Sequence, residues 1–188
     1  MEVEPDKVTT AQRATYRMVS DGLAYGMEAD GRGQRLSIPT GEAQGILDAY
    51  FGGFPNVRAY MEGAVAEARE KGYTETLLGR RRQIPELASR VRAVRQAGER
   101  QAMNAGIQGL AADIFKIALV RLDEALEERG GTSRLILQVH DEVVLEVPPA
   151  DEVEMGEVVL DAMSGAFDLA VPLEVNLAFG DTWAGAKS

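Results

Sequence analysis

His140, Asp141 and Glu142 stand together in "QVHDEVVLEV", residues 138–147, where three groups that resist burial interrupt a run of alternating apolar residues. Such alternation marks half-buried strands. Arg134 to His140 and Val143 to Val147 are therefore expected to form a hairpin with a two-residue connection around Asp141 and Glu142. Tight hairpin turns favour Asn-Gly or Asp-Gly, and Asp-Glu is a poor turn pair, so turn geometry alone does not account for these acids. One reading is that loop tips gather acids because they are solvated. The other is that Asp141, helped by Glu142, holds Mg²⁺, a hard cation that usually shares its shell between one or two carboxylates and substrate phosphates. Flanking strands would then fix the carboxylate as two-metal phosphoryl transfer requires. His140 would orient a phosphate or a backbone group, or serve as a structural hydrogen-bond partner.

The rest of the composition narrows the alternatives. The chain has 188 residues, no cysteine and one histidine, so disulfides and thiolate or histidine-built metal sites are excluded and any metal must be held by oxygen. No apolar run approaches the roughly 20 residues of a membrane span, and "MEVEPDKVTT" lacks the basic start and apolar stretch of a signal peptide, so a soluble intracellular chain is expected. The net charge of −10 is segregated. Between Leu77 and Arg100 seven arginines face two glutamates, a local charge of +5, whereas acids dominate from Asp123 to Asp168. A phosphate backbone senses that local strip over a Debye length of roughly 8 Å.

The elements that must position these groups read mostly as helices. "TTAQ" resembles a capping box and starts a first helix near Thr9, weakened at Gly22 and Gly26. Ala43, Ile46, Leu47, Tyr50 and Phe51, and then Val57, Tyr60, Met61, Ala64, Val65 and Ala68, recur at amphipathic spacing. "YTETLLGRRRQIPEL" reads as a short strand, a glycine turn at Gly79 and a basic return ending at Pro85. A long helical region is expected from about Ser89 to Glu128, with Met103, Ile107, Leu110, Ile114, Ala118 and Leu122 as its buried stripe. A further helix covers about Ala150 to Phe167, and "VPLEVNLAF" is a last strand able to join the hairpin's sheet. The expected class is α+β: mostly helical with a small antiparallel sheet.

"LQVHDEVVLEV" resembles motif C of the family A DNA polymerases, the DNA polymerase I group, and the likeness extends along nearly the whole chain. "GLAYGM" resembles the end of the fingers helix that grips the incoming nucleotide. "GYTETLLGRRRQIPEL", "ERQAMNAGIQGLAADIFKIAL" and "VPLEVNLAFGDTW" are similar to the segments that follow it, in the family's order and spacing. The resemblance implies a fingers-like portion over 1–75 and a palm-like portion over 76–188, carrying basic loop, long helical region and motif C hairpin. It implies transfer of a nucleotidyl group to a primer hydroxyl, in replication and repair, with Asp141 and Glu142 as metal ligands and His140 beside them. Arg13 and Arg17 would meet the triphosphate of a deoxynucleoside triphosphate, and Tyr25 the base. Arg100, Asn104 and Gln108, at i, i+4 and i+8, share a side of the long helix with donors suited to minor-groove edges and phosphates. They would lie along primer-template DNA, with Arg80, Arg81 and Arg82 on its backbone. The location implied is cytoplasmic, with the nucleoid.

Departures from the family pattern bear on the chemistry. Arg17 replaces a lysine, keeping charge but losing a readily shifted pKa. Asp21 stands where the family has an aromatic residue beside the sugar, and Gly106 and Leu110 replace a proline and a small polar residue. No "DYS" segment of motif A occurs, so the two-metal Mg²⁺ site is expected to be incomplete and the chain inefficient alone, with an open sheet edge inviting self-association. The competing expectations are a catalytically inactive DNA-binding or polymerase-associated module of the same descent and, a poor third, an unrelated Mg²⁺ phosphoesterase built on His140, Asp141 and Glu142.

Overall fold

Residues 8–9 and 40–186 are described by the computed structural model. They fall in two units, Met1–Leu110 and Ala111–Ser188. The helix expected from Thr9 lies, apart from Thr9 itself, outside the described residues. The class is α+β, as expected.

In the first unit the two amphipathic segments form α1 (Thr40–Gly53) and α2 (Pro55–Lys71). Leu47 of α1 is buried among Ile46, Tyr50 and Phe51. Proline opens α2 where no backbone N–H is needed. Gly72 closes it in the left-handed conformation, φ 78°, and donates its N–H to Ala68 O. Strands β1 (Tyr73–Glu75) and β2 (Arg81–Gln83) then pair antiparallel, with Glu75 opposite Arg81. Their connection is Thr76 to Arg80; the Thr76 N–H donates to Arg80 O at 2.9 Å, leaving Leu77, Leu78 and Gly79 as a three-residue loop whose left-handed third position suits the +84° φ of Gly79. Val65 and Ala68 of α2, Ile84 after β2, and Ala102 form this unit's main core.

Helix α3 runs from Arg92 to Arg129. Its buried stripe differs from the expected one. Ala118 and Leu122 are buried as expected, but Ile107 is 52% exposed, and the inward positions near it are Ala102 and Ala105. The reason is steric: at Gly106 an added Cβ would stand 2.6 Å from Tyr60 Oη, and at Gly109 2.6 Å from Thr76 Cγ2. Small residues let neighbouring elements approach too closely for larger apolar side chains to turn inward.

The second unit wraps a hairpin. Strands β3 (Arg134–Val139) and β4 (Glu142–Glu146) pair antiparallel, and α4 (Glu152–Ser164) follows a short 3₁₀ turn. Leu122 and Leu126 of α3 pack with Met155, Val159 and Ala162 of α4, and Leu135, Val143 and Leu145 bring one face of the hairpin against them. The expected third strand is corrected: among the described residues each sheet has two strands, and residues 171–179 pair with neither. Leu173 and Val175 keep the alternating half-burial of a strand. Leu177 and Phe179 instead lie against α4, 3.0 and 3.4 Å from where a Cβ on Gly156 would sit, so side-chain packing orders this segment without a backbone ladder.

Two arginines of α3 hold α4 at its ends. Arg121 donates to the carbonyl of Gly165 just past the last turn. Arg129 makes a two-pronged pair with Glu154 at 2.9 and 2.7 Å and stands 3.7 Å from Asp151. The hydrogen bond from Arg129, and then its charge, hold the Glu154 carboxyl below its ordinary 4.5. A depressed carboxyl contributes stability above its unfolded pKa and loses it as pH falls through the folded one. Glu154→Gln should therefore be less stable than the parent near neutrality, with the gap closing below about pH 4.5; chemical denaturation at stepped pH measures this, and a gap independent of pH would contradict it. Leu122→Ala, which empties a fully buried position, should cost about 2–5 kcal/mol in the same assay.

Candidate functional site

The tip of the β3–β4 hairpin is built one residue earlier than the apolar pattern implied. Val139 pairs with Glu142, so the connecting residues are His140 and Asp141, and Glu142 begins β4 rather than lying in the turn. The correction has a backbone cause. His140 has φ +55°, the only non-glycine residue with positive φ among those described, while Asp141 has no positive φ. Positive φ at the first central residue alone is the sign pattern of a type II′ hairpin turn, a position that favours glycine. Histidine tolerates it better than most side chains do, at a cost of roughly 1–3 kcal/mol.

Asp141 is thereby exposed at the apex, and Glu142 is half-buried at the first paired position. The carbonyl of His140, which belongs to the peptide leading into Asp141, accepts a 2.7 Å hydrogen bond from the Gln138 side-chain amide. A register shift between Leu135 and Leu137 sets Gln138, which is exposed, opposite Val143. Bulges of this kind re-aim side chains near functional sites. Lower on the hairpin Arg134 and Glu146 pair at 2.6 Å, fixing the register at its open end. Asp141 and Glu142 offer hard oxygen donors of the type Mg²⁺ takes. Among the described residues no group of three or more histidines or acids is gathered to hold a metal, so these two carboxylates could supply part of a shell that phosphate and water complete.

In the first unit Arg80, Arg81 and Arg82 lie on one hairpin and Arg92, Arg95 and Arg100 on one helix. Arg80 and Arg81 are exposed. The guanidinium of Arg81 lies 4.7 Å above the Tyr73 ring and bonds the Glu75 carboxylate across the strand pair, a hydrogen bond and charge that raise its pKa further. Arg82 donates to Gln101 of α3 at 3.0 Å, so the hairpin is tied to the helix next to Arg100. Arg100 and Asn104 are half-buried and Gln108 is exposed. Their eight-residue span lies within α3, so all three share one side of one helix. A cavity of about 330 Å³, lined by Tyr60, Glu67, Tyr73 and Glu75 over a floor of small residues, includes none of the predicted site residues. Arg13, Arg17, Asp21 and Tyr25 lie outside the described residues.

Sequence reasoning missed Gln138, Gln101 and Thr76. Each works through a hydrogen bond or methyl contact with no periodic signature; the one available hint was that Gln138 stands two residues before His140. Because His140 occupies a glycine-favouring turn position, His140→Gly should stabilise the folded protein by about 1 kcal/mol in thermal or denaturant unfolding. Destabilisation would show that the positive φ carries no strain.

Comparison with known proteins covers nearly the whole chain. The sequence model of DNA polymerase family A matches residues 1–185. DNA polymerase I of Mycobacterium tuberculosis is 49% identical over 181 residues, 96% of this chain and 20% of that protein. The thermostable DNA polymerase I of Thermus aquaticus is 44% identical over 185 residues, 98% of this chain and 22% of that protein. Among solved structures, the POL domain of Pol1 from M. smegmatis, in complex with DNA primer-template and dNTP, superposes with a TM-score of 0.96 at 46% identity, covering 99% of this chain and 33% of that one. The chain thus spans 20–22% of the length of these curated relatives.

Proposed function

The chain belongs to DNA polymerase family A, and on that premise we propose that it carries the fingers and carboxy-terminal palm portion of a template-directed DNA polymerase. The observation that carries this reading is the hairpin tip, where a strained two-residue turn presents Asp141 to solvent beside Glu142. In this proposal residues 1–75 serve as fingers and 76–188 as palm. The partners are primer-template DNA and deoxynucleoside triphosphates, and the place of work is the nucleoid. Among the described residues β3 and β4 form a two-stranded sheet, and its outer edges support self-association, which sedimentation would detect as a concentration-dependent mass.

The work of the chain's own groups is to place and to neutralise. Asp141 and Glu142 would hold Mg²⁺ through oxygen, and the ion supplies positive charge against the developing charge on the transferred phosphoryl group. The two-residue turn fixes the backbone that carries Asp141 before substrate arrives, which spares part of the ordering cost at the moment of reaction. Arg13 and Arg17 would bind the triphosphate and Tyr25 the base. His140 would orient a neighbouring phosphate or backbone group. Arg100, Asn104 and Gln108 would read the minor-groove edge of the primer terminus, and Arg80 and Arg81 would hold phosphates without regard to sequence.

Primer extension with Mg²⁺ and all four nucleotides, run beside a salt titration of primer-template binding, tests this. Slow extension that Asp141→Ala abolishes, on a background of salt-sensitive binding that the variant retains, is the expected result. Salt-sensitive binding with no extension in either protein would select an inactive DNA-binding module instead. Binding that does not depend on salt would remove the basis of both.

A further inference from the structure

Thr76 is the only polar residue that is buried among those described, at 8% exposure, and its two branches face different functional elements. Its hydroxyl oxygen accepts the backbone N–H of Arg80 at 3.2 Å, while its own N–H donates to Arg80 O at 2.9 Å and its carbonyl accepts from Gly79 N–H at 2.9 Å. Three bonds on one residue thus hold the closed end of the arginine hairpin. The methyl group points the other way, into α3, where it occupies the space that a Cβ at Gly109 would need, 2.6 Å from it. A glycine inside a helix costs about 1 kcal/mol relative to alanine, so the notch is maintained against propensity. Gly109 lies about 180° round α3 from Arg100 and about 140° from Asn104. A contact that fixes the helix at the Gly109 side therefore fixes the direction in which those donors point.

We propose that Thr76 is a positioning residue that couples the phosphate-binding arginine hairpin to the donor face of α3, its hydroxyl setting the former and its methyl the latter. This rests on the reading that the first unit contacts primer-template DNA. Thr76 ties the closure of the loop that carries Arg80 to the rotation of α3 about its axis, beside the packing of Ala102 with Ile84 that already brings hairpin and helix together. The Arg82–Gln101 bond joins the same two elements, but through a long, exposed side chain that holds direction poorly. A short, branched, buried residue does not swing.

The two branches can be removed separately. Thr76→Val keeps the shape and deletes the acceptor for Arg80 N–H; Thr76→Ser keeps the acceptor and deletes the methyl; Gly109→Ala drives a Cβ into the methyl. In Thr76→Ser with Gly109→Ala the methyl is moved from one side of the contact to the other, and nothing else lies within 4 Å of the new Cβ. Fluorescence anisotropy with a labelled primer-template, matched or mismatched at the primer end and titrated from about 50 to about 200 mM KCl, reads both elements. Thr76→Val should lower the magnitude of the salt slope by about 1, the loss of one phosphate contact. Thr76→Ser should leave that slope intact and reduce the preference for the matched end by about three- to tenfold. Gly109→Ala should lose both, and the double variant should regain both.

Thermal unfolding of the same proteins supplies the control for a purely structural role. Variants that shift the melting temperature but leave slope and preference at parental values would overturn the proposal. So would a double variant no better than Gly109→Ala. Arg100→Ala reports on the underlying reading separately: if it leaves binding of the parent chain unchanged, DNA contact by this face is wrong, whatever the Thr76 series shows.

Discussion

The pairing of Val139 with Glu142 is the constraint on which the remainder rests. Once those residues are bonded across the hairpin, only His140 and Asp141 are left to reverse the chain, and a two-residue reversal demands positive φ at its first position. Histidine accepts that strain, Gln138 bonds the carbonyl that results, and Asp141 is left at the apex with little freedom of backbone. The apolar work is done on one face of the hairpin. Leu135, Val143 and Leu145 pack against Leu122, Met155 and Val159, from the open end up to the residue after Glu142, which leaves the turn itself free to be polar. A core that stabilises one face of a hairpin while its turn carries charge separates folding from chemistry.

The first unit uses a different device for the same end. Arg80, Arg81 and Arg82 sit on a short two-stranded hairpin that would be marginal alone. The hairpin is made part of a larger body by Ile84, which is 1% exposed among α2 and α3 residues, by Arg82 on Gln101, and by Thr76 in the notch at Gly109. Arg81 is held by Glu75 and the Tyr73 ring, so its charge is presented from a set position rather than from a swinging side chain. The overall acidity of the chain does not oppose this, because its acids are concentrated beyond Asp123 and the arginines between Leu77 and Arg100.

How much of this could be read from the residues follows from the physics of each signal. Helices α1 and α2 were legible because large apolar side chains recur on one face, and the loop at Gly79 because only glycine readily takes its φ. The hairpin was legible from alternation, but its turn was misplaced by one residue, since alternation does not report which residue takes positive φ. The buried side of α3 was misjudged because alanine and glycine contribute little to an apolar pattern, although they mark where another element comes closest. The last segment, 171–179, has the alternation of a strand and is half-buried at Leu173 and Val175, yet pairing requires a neighbouring backbone that no periodicity reveals. The acidic pair itself was legible as chemistry; the amide of Gln138 that holds its turn was not, because a single hydrogen bond leaves no trace in composition.

The central claim is that the acidic turn is a cation seat and not a solvated loop tip. Paramagnetic broadening of backbone amide resonances by Mn²⁺, standing in for Mg²⁺, tests it in the protein as it is. The account predicts that at low ion concentration the amides of Asp141 and Glu142 broaden first, and that Asp141→Asn abolishes the effect there. Broadening that begins instead along the acid-rich surface of α4, with the hairpin tip unaffected, would contradict it.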